Sequence, residues 1–185
     1  GGAFLPIDPA EPADRLGHIL EVAAPDLVIT DTVLAELRAD EGVAAATTPP
    51  GPDTAAYVLF TSGSTGKPKG VIGTTQSITT MTTVQLAEWE WPENPRFLMC
   101  TPLSHAGAAF FTPVIVKGGE LVVLTKFDPA EVLRVIEEQK ITATMLVPSM
   151  IYALMDHPDS HTRDLSSLET VYYGASAMNP VRLKE

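Results

Sequence analysis

Residues 61–70 hold the densest chemistry in the chain. Thr61-Ser62-Gly63-Ser64-Thr65-Gly66-Lys67-Pro68-Lys69-Gly70 brings together four hydroxyls, three glycines and two lysines with no carboxylate. Glycine has no Cβ, so its backbone can take φ > 0 and come close to a ligand. Successive N–H groups in such a loop can turn inward and cradle an anion. Ser and Thr add donors, and lysine adds charge suited to phosphate oxygens. Across residues 54–87 there is no Asp or Glu, and Lys67 and Lys69 are the only charged side chains. A carboxylate there would repel a phosphate. A Walker loop would need G-x-x-x-x-G-K-[ST], but Gly63 and Gly66 stand too close together and Pro68 follows Lys67. Proline lacks an N–H and disfavours helical geometry at the residue before it. No Rossmann G-x-G-x-x-G is present either. A Gly/Ser/Thr run can be a plain linker, yet Tyr57-Val58-Leu59-Phe60 directly before it reads as a buried strand. Loops leaving strand ends are where open α/β sheets bind ligands.

Other chemistry-bearing residues are sparser. His105 closes Pro102-Leu103-Ser104-His105, and taken alone it reads as a capping or half-buried histidine as readily as a functional one. Val171-Tyr172-Tyr173-Gly174-Ala175-Ser176 is a strand running into small residues. His157 and His161, with Asp156 and Asp159, suggest a metal cluster, but Pro158 interrupts the helix that would align them. Their spacing matches no zinc type, so a surface loop is expected. Glu137-Glu138 reads as a solvated helix face, and Cys100, after Phe97-Leu98-Met99, as core.

These residues need elements to position them. Residues 1–9 form an irregular, proline-punctuated lead-in; Leu16, Ile19, Leu20 and Ala23 at helical spacing predict a helix over 14–23. Leu27-Val28-Ile29-Thr30 reads as a short parallel strand, and 33–38 as a helical turn or two. Residues 41–54, rich in Ala, Thr, Pro and Gly, are the best linker, which divides the chain into an α/β segment over 1–54 and a larger portion over 55–185. After the loop, 71–74 is extended and 76–89 helical; its first turn lies near the loop, where a helix N-terminus favours anions. Strands are expected at 96–101, 121–124, 142–147 and 171–176, the last ending in small residues, and a helix after His105, where 106–111 suits close packing on a channel or ordinary core. Asp128-Pro129-Ala130-Glu131 opens the next helix with a cap, a first-position proline and Glu three after the cap. A further helix follows Pro148-Ser149. Alternating strands and helices argue an α/β fold: parallel sheet flanked by helices, with right-handed crossovers.

Phe60 and the ten residues after it resemble, without interruption, the phosphate-binding signature [FY]-T-S-G-S-T-G-x-P-K-G of the adenylate-forming superfamily: acyl-CoA synthetases, peptide-synthetase adenylation domains and luciferases. The rest of the chain runs like part of the large N-terminal domain of such an enzyme, nearest to fatty-acyl-CoA synthetases. Residues 1–9 resemble the G-x-x-x-x-P-[IL]-D-P segment, Pro102 to His105 the P-x-x-H element, and Gly174-Ala175-Ser176 the G-[GA]-[AS] turn. The resemblance implies activation of a carboxylic acid by ATP, with magnesium, and transfer to CoA. It gives the β- and γ-phosphates to Thr61, Ser62, Gly63, Ser64, Thr65, Gly66 and Lys69. It puts His105 beside the acyl carboxylate as the catalytic candidate, and Gly174, Ala175 and Ser176 along the adenine. Gln76 stands where many relatives carry histidine. The superfamily's Y-G-x-T-E element, ribose aspartate, hinge and C-terminal lysine have no counterpart here, so this chain alone is expected to be inactive. An amino-acid-activating domain and a non-catalytic nucleotide-binding fragment are the rival readings.

Lys+Arg 12 against Asp+Glu 23 argues against nucleic acid, which favours a basic face. One cysteine cannot form an internal disulfide, which suits a reducing compartment. Residues 106–116, the best candidate for a span, are too short to cross a bilayer and contain Pro113. No signal peptide opens the chain, and Gly1-Gly2 without methionine is expected of a fragment. Cytoplasm is the expected location.

Overall fold

Asp128 starts a helix as its sequence dictates. Its backbone is extended (φ −139°, ψ 123°), and its carboxylate accepts the Glu131 N–H at 3.0 Å. Helix Pro129–Glu138 follows, burying Val132, Leu133, Val135 and Ile136 along one stripe. The computed structural model containing it describes residues 3–9, 11–39, 49–61, 69–102 and 107–184. They fall into two units, Gly1–Thr79 and Thr80–Glu185.

In chain order the elements are α1 (Ala13–Ala23), α2 (Asp31–Ala39), β1 (Ala55–Thr61), β2 (Lys69–Thr74), α3 (Thr75–Glu88), β3 (Arg96–Met99), α4 (Ala108–Val116), β4 (Glu120–Val123), α5 (Pro129–Glu138), β5 (Ala143–Leu146), α6 (Pro148–Met155) and β6 (Thr170–Tyr173). Short 3-10 turns lie at Pro158–His161 and Arg182–Lys184.

The second unit is built on a four-stranded sheet in the order β4-β3-β5-β6, with every pairing parallel. Alternate strand residues face opposite sides. On one side Phe97, Met99, Ala143 and Met145 meet Phe110 and Val114 of α4. On the other, Leu98, Cys100 and Leu146 meet Val132, Leu133 and Ile136 of α5 and Leu154 of α6. Thr144 is buried, and its hydroxyl donates to the Leu98 carbonyl at 2.9 Å, tying the two central strands together. Phe110 lies among Trp89, Trp91, Phe97 and Tyr172, with ring centroids 5.1–6.2 Å away. The helix-to-strand turn before β4 uses Gly118 at φ +71°.

In the first unit β1 and β2 form an antiparallel pair, and Phe4 adds a single parallel bridge to Tyr57. Two expectations need correction there. The 57–60 run is half-buried rather than buried, and it joins a hairpin instead of a parallel sheet. Residues 27–30 form no strand: Leu27, Val28 and Ile29 are 59%, 47% and 61% exposed and have no ladder partner among the described residues. Branched residues favour a strand only where a neighbour pairs with them. The linker expected over 41–54 falls outside the described residues as far as 48; from 49 on it is turns leading into β1.

Candidate functional site

The order of the strands creates a topological switch point, the place where open α/β sheets form a crevice. From β3 the chain crosses by α4 to β4 on one side, then by α5 back past β3 to β5, and on to β6. Right-handed crossovers put α4 on one face and α5 and α6 on the other, as the two packed clusters require. Neighbouring strands β3 and β5 are therefore followed by helices on opposite faces. Ligands of open α/β sheets bind at the carboxyl ends of such a pair.

Cys100, Thr101 and Pro102 leave β3 at this edge, and Val147, Pro148 and Ser149 leave β5. His105 lies in residues 103–106, outside the described residues, but both flanks are fixed. A Cβ on Gly107 would stand 2.8 Å from the Thr101 carbonyl oxygen, so these two described residues meet at the tip of β3. Gly174, Ala175 and Ser176 leave β6 at the same edge. At about 4.8 Å per strand, β6 ends roughly 10 Å from β3. Ala175 sits at φ +67°, in the left-handed region that residues with a Cβ rarely occupy. Ala175 and Ser176 are exposed, and a Cβ on Gly174 would meet nothing within 4 Å. The turn offers open backbone to a ligand.

The glycine-rich loop belongs to the first unit. Thr61 and Lys69 form the last register pair of β1 and β2, so residues 62–68 are the hairpin connection. Ser62, Gly63, Ser64, Thr65, Gly66 and Lys67 lie outside the described residues, and only the backbone of Thr61 is described. Lys69 is exposed. The base of the hairpin is tightly built: a Cβ on Gly70 would lie 3.1 Å from Val58 Cγ1, and one on Gly73 would enter the Tyr57 ring at 2.2 Å.

Cys100 is buried beneath the crevice, and burial pushes its thiol up to about 11, against a partly offsetting hydrogen bond with Thr144. Burial, and then Glu90, push the Tyr172 phenol up to about 12, and its hydroxyl donates to the Glu90 carbonyl. The Cys100 thiol is accordingly expected to resist aromatic disulfide reagents in the folded chain and to react on unfolding. Its folded value lies above the unfolded one, so its contribution to stability is complete below about pH 8.5. That contribution is lost as pH rises through about 11. Stoichiometric labelling of native protein at neutral pH would contradict this.

His157 caps the 3-10 turn, its Nδ1 accepting the Asp159 N–H at 3.2 Å, and among the described residues no group of three His, Cys, Asp or Glu side chains could hold a metal. Sequence reasoning did not assign Thr101, Gly107 or Val147 to the site. They matter only because β3 and β5 are neighbours, and that pairing carries no local signal.

Comparison with known proteins gives this geometry a context. A profile of AMP-binding enzymes matches residues 1–185. Over 134 residues the chain is 81% identical to the medium/long-chain-fatty-acid–CoA ligase FadD8 of Mycobacterium tuberculosis, covering 72% of this chain and 24% of that protein. Feruloyl-CoA synthase of Amycolatopsis sp is 33% identical over 162 residues, 86% of this chain and 31% of that protein. The chain thus spans a quarter to a third of the length of these relatives. The N-terminal domain of FACL13 from Mycobacterium tuberculosis superposes on 97% of this chain and 52% of its own with a TM-score of 0.83; at 21% identity that likeness speaks for the fold. The signature read in residues 60–70 and the alternating α/β architecture agree with these likenesses, and the chain belongs to the family of AMP-binding enzymes.

Proposed function

We propose that this chain is the nucleotide-handling part of an ATP-dependent acyl-CoA synthetase acting on a fatty acid. The 81% identity to a medium/long-chain-fatty-acid–CoA ligase carries the reading, supported by the signature loop and the carboxyl-edge crevice. A substrate carboxylate oxygen bonds to the α-phosphorus of ATP as the bond to pyrophosphate breaks. The CoA thiolate then attacks the acyl carbon and AMP leaves. The protein's work is positioning and charge neutralisation.

Thr61, Ser62, Gly63, Ser64, Thr65, Gly66 and Lys69 would donate to the β- and γ-phosphate oxygens. Gly174, Ala175 and Ser176 would lay open backbone along the adenine, and His105 would border the reacting carboxylate. With no three-ligand cluster among the described residues, a magnesium ion would be held mainly through nucleotide phosphates, where it neutralises charge. Among the described residues no helix is long and apolar enough to cross a membrane; the proposed location is the cytoplasm.

Calorimetric titration with ATP and magnesium tests the reading. Saturable binding is expected, weakened at least about tenfold by joint Thr65→Ala and Lys69→Ala, since charge-assisted hydrogen bonds contribute about 1.5–3 kcal/mol each. A well-folded chain whose binding is untouched by the double substitution would remove the phosphate role from the loop.

A further inference from the structure

We propose that Tyr152 is a positioning residue: from α6 it holds the turn Gly174-Ala175-Ser176 at the carboxyl edge of the sheet. Its consequence for nucleotide binding rests on the function proposed above; the geometry does not. Residues 174–178 hang between two fixed points. One is the last ladder pair of β5 and β6, Leu146 with Tyr173. The other is Asn179, whose N–H donates to the Tyr152 hydroxyl at 2.7 Å.

The segment beyond Asn179 is ordered by its own bonds. The Asn179 side chain accepts the Val181 N–H at 2.9 Å, and its carbonyl accepts the Leu183 N–H at 3.0 Å. This winds the 3-10 turn Arg182–Lys184 and aims Arg182 back at α6. There the guanidinium lies 5.1 Å over the Tyr152 ring and bonds both Asp156 oxygens, at 2.7 and 3.5 Å. Tyr152 and Asp156 stand four apart and so present side chains on one side of the helix. One tyrosine therefore uses its hydroxyl on the backbone and its ring on the cation. α6 begins directly at the end of β5, so this clasp ties the turn to the strand that borders the crevice. Ala175 keeps its left-handed φ at an exposed position, and such strain persists only where the surroundings impose it. The clasp supplies that constraint.

Amide hydrogen exchange on the whole 185-residue chain, with and without ATP–magnesium, tests this, using wild type, Tyr152→Phe, Tyr152→Ala and Asp156→Asn. Tyr152→Phe keeps the ring and loses only the hydroxyl, and a net hydrogen bond is equivalent to roughly a three- to tenfold change. The Asn179 amide, which donates to that hydroxyl, is expected to exchange faster by about that factor, with β5 and α5 unchanged; Tyr152→Ala should give a larger effect and Asp156→Asn a partial one. ATP–magnesium should slow exchange at 175–178 in wild type and less in Tyr152→Phe. Unaltered exchange at the Asn179 amide in a folded Tyr152→Phe would overturn the clasp. Altered exchange without any nucleotide protection in wild type would uphold the clasp and remove its role, along with the nucleotide reading.

Discussion

Gly119→Ala is expected to lower the melting temperature by about 10 °C. An added Cβ would lie 2.3 Å from the Pro95 carbonyl oxygen and 2.6 Å from the Pro95 ring. The obstacle is main chain and cannot rotate away. The same carbonyl accepts the Glu120 N–H at 2.8 Å at the start of β4, so relief would have to unseat that strand from β3. Overpacking usually costs about 1–3 kcal/mol, and a backbone obstacle belongs at or above the upper end. For a chain of this size each kcal/mol shifts the midpoint by about 2–4 °C. Two other glycines calibrate the measurement. Gly118→Ala meets no atom within 4 Å but must hold φ +71°, at a cost of about 1–2 kcal/mol. Gly17→Ala in α1 meets nothing within 4 Å and should be neutral or stabilising by up to about 1 kcal/mol. A Gly119→Ala protein melting within a degree or two of wild type would show that Pro95 and β4 yield readily.

Phe110→Ala is expected to remove about 3–5 kcal/mol. Phe110 is 4% exposed, and four aromatic rings pack against it. Among the described residues α4 is the helix whose buried side chains enter this cluster, so the void is not readily refilled. A urea titration should show the midpoint falling with little change in slope, because the surface exposed on unfolding is nearly the same. Tryptophan emission should shift to the red as Trp89 and Trp91 lose their shared neighbour. A midpoint within about 1 kcal/mol of wild type would mean that the cluster collapses around the hole.

Local signals were legible in the sequence. The Asp128 cap, the amphipathic stripe of α5 and the strand at 143–146 appear where period and capping chemistry put them. Pairing was not. Leu27-Val28-Ile29 has the composition of a strand and stands exposed, because a ladder needs a partner that local sequence cannot supply. Tyr57-Val58-Leu59-Phe60 has the same composition and pairs antiparallel with β2, which its own residues do not announce. The crevice depends on β5 crossing β3 to its far side, a fact about chain order. The two segments richest in motif, 62–68 and 103–106, lie outside the described residues, and their chemistry rests on the resemblance to a superfamily.

The central position of β3 has a consequence for synthesis. Its two neighbours follow it in the chain, and Phe97 meets Ala143, 46 residues further on, only once that partner has emerged. At a translation rate of about 5–20 residues per second, Phe97, Leu98 and Met99 wait roughly two to ten seconds with an open edge. Parallel pairing across intervening helices is also slow to nucleate. The nascent chain therefore passes through an interval in which a strand destined for the core, Phe97 to Met99, is exposed and adhesive, and soluble yield should depend on the speed of elongation through residues 100–143.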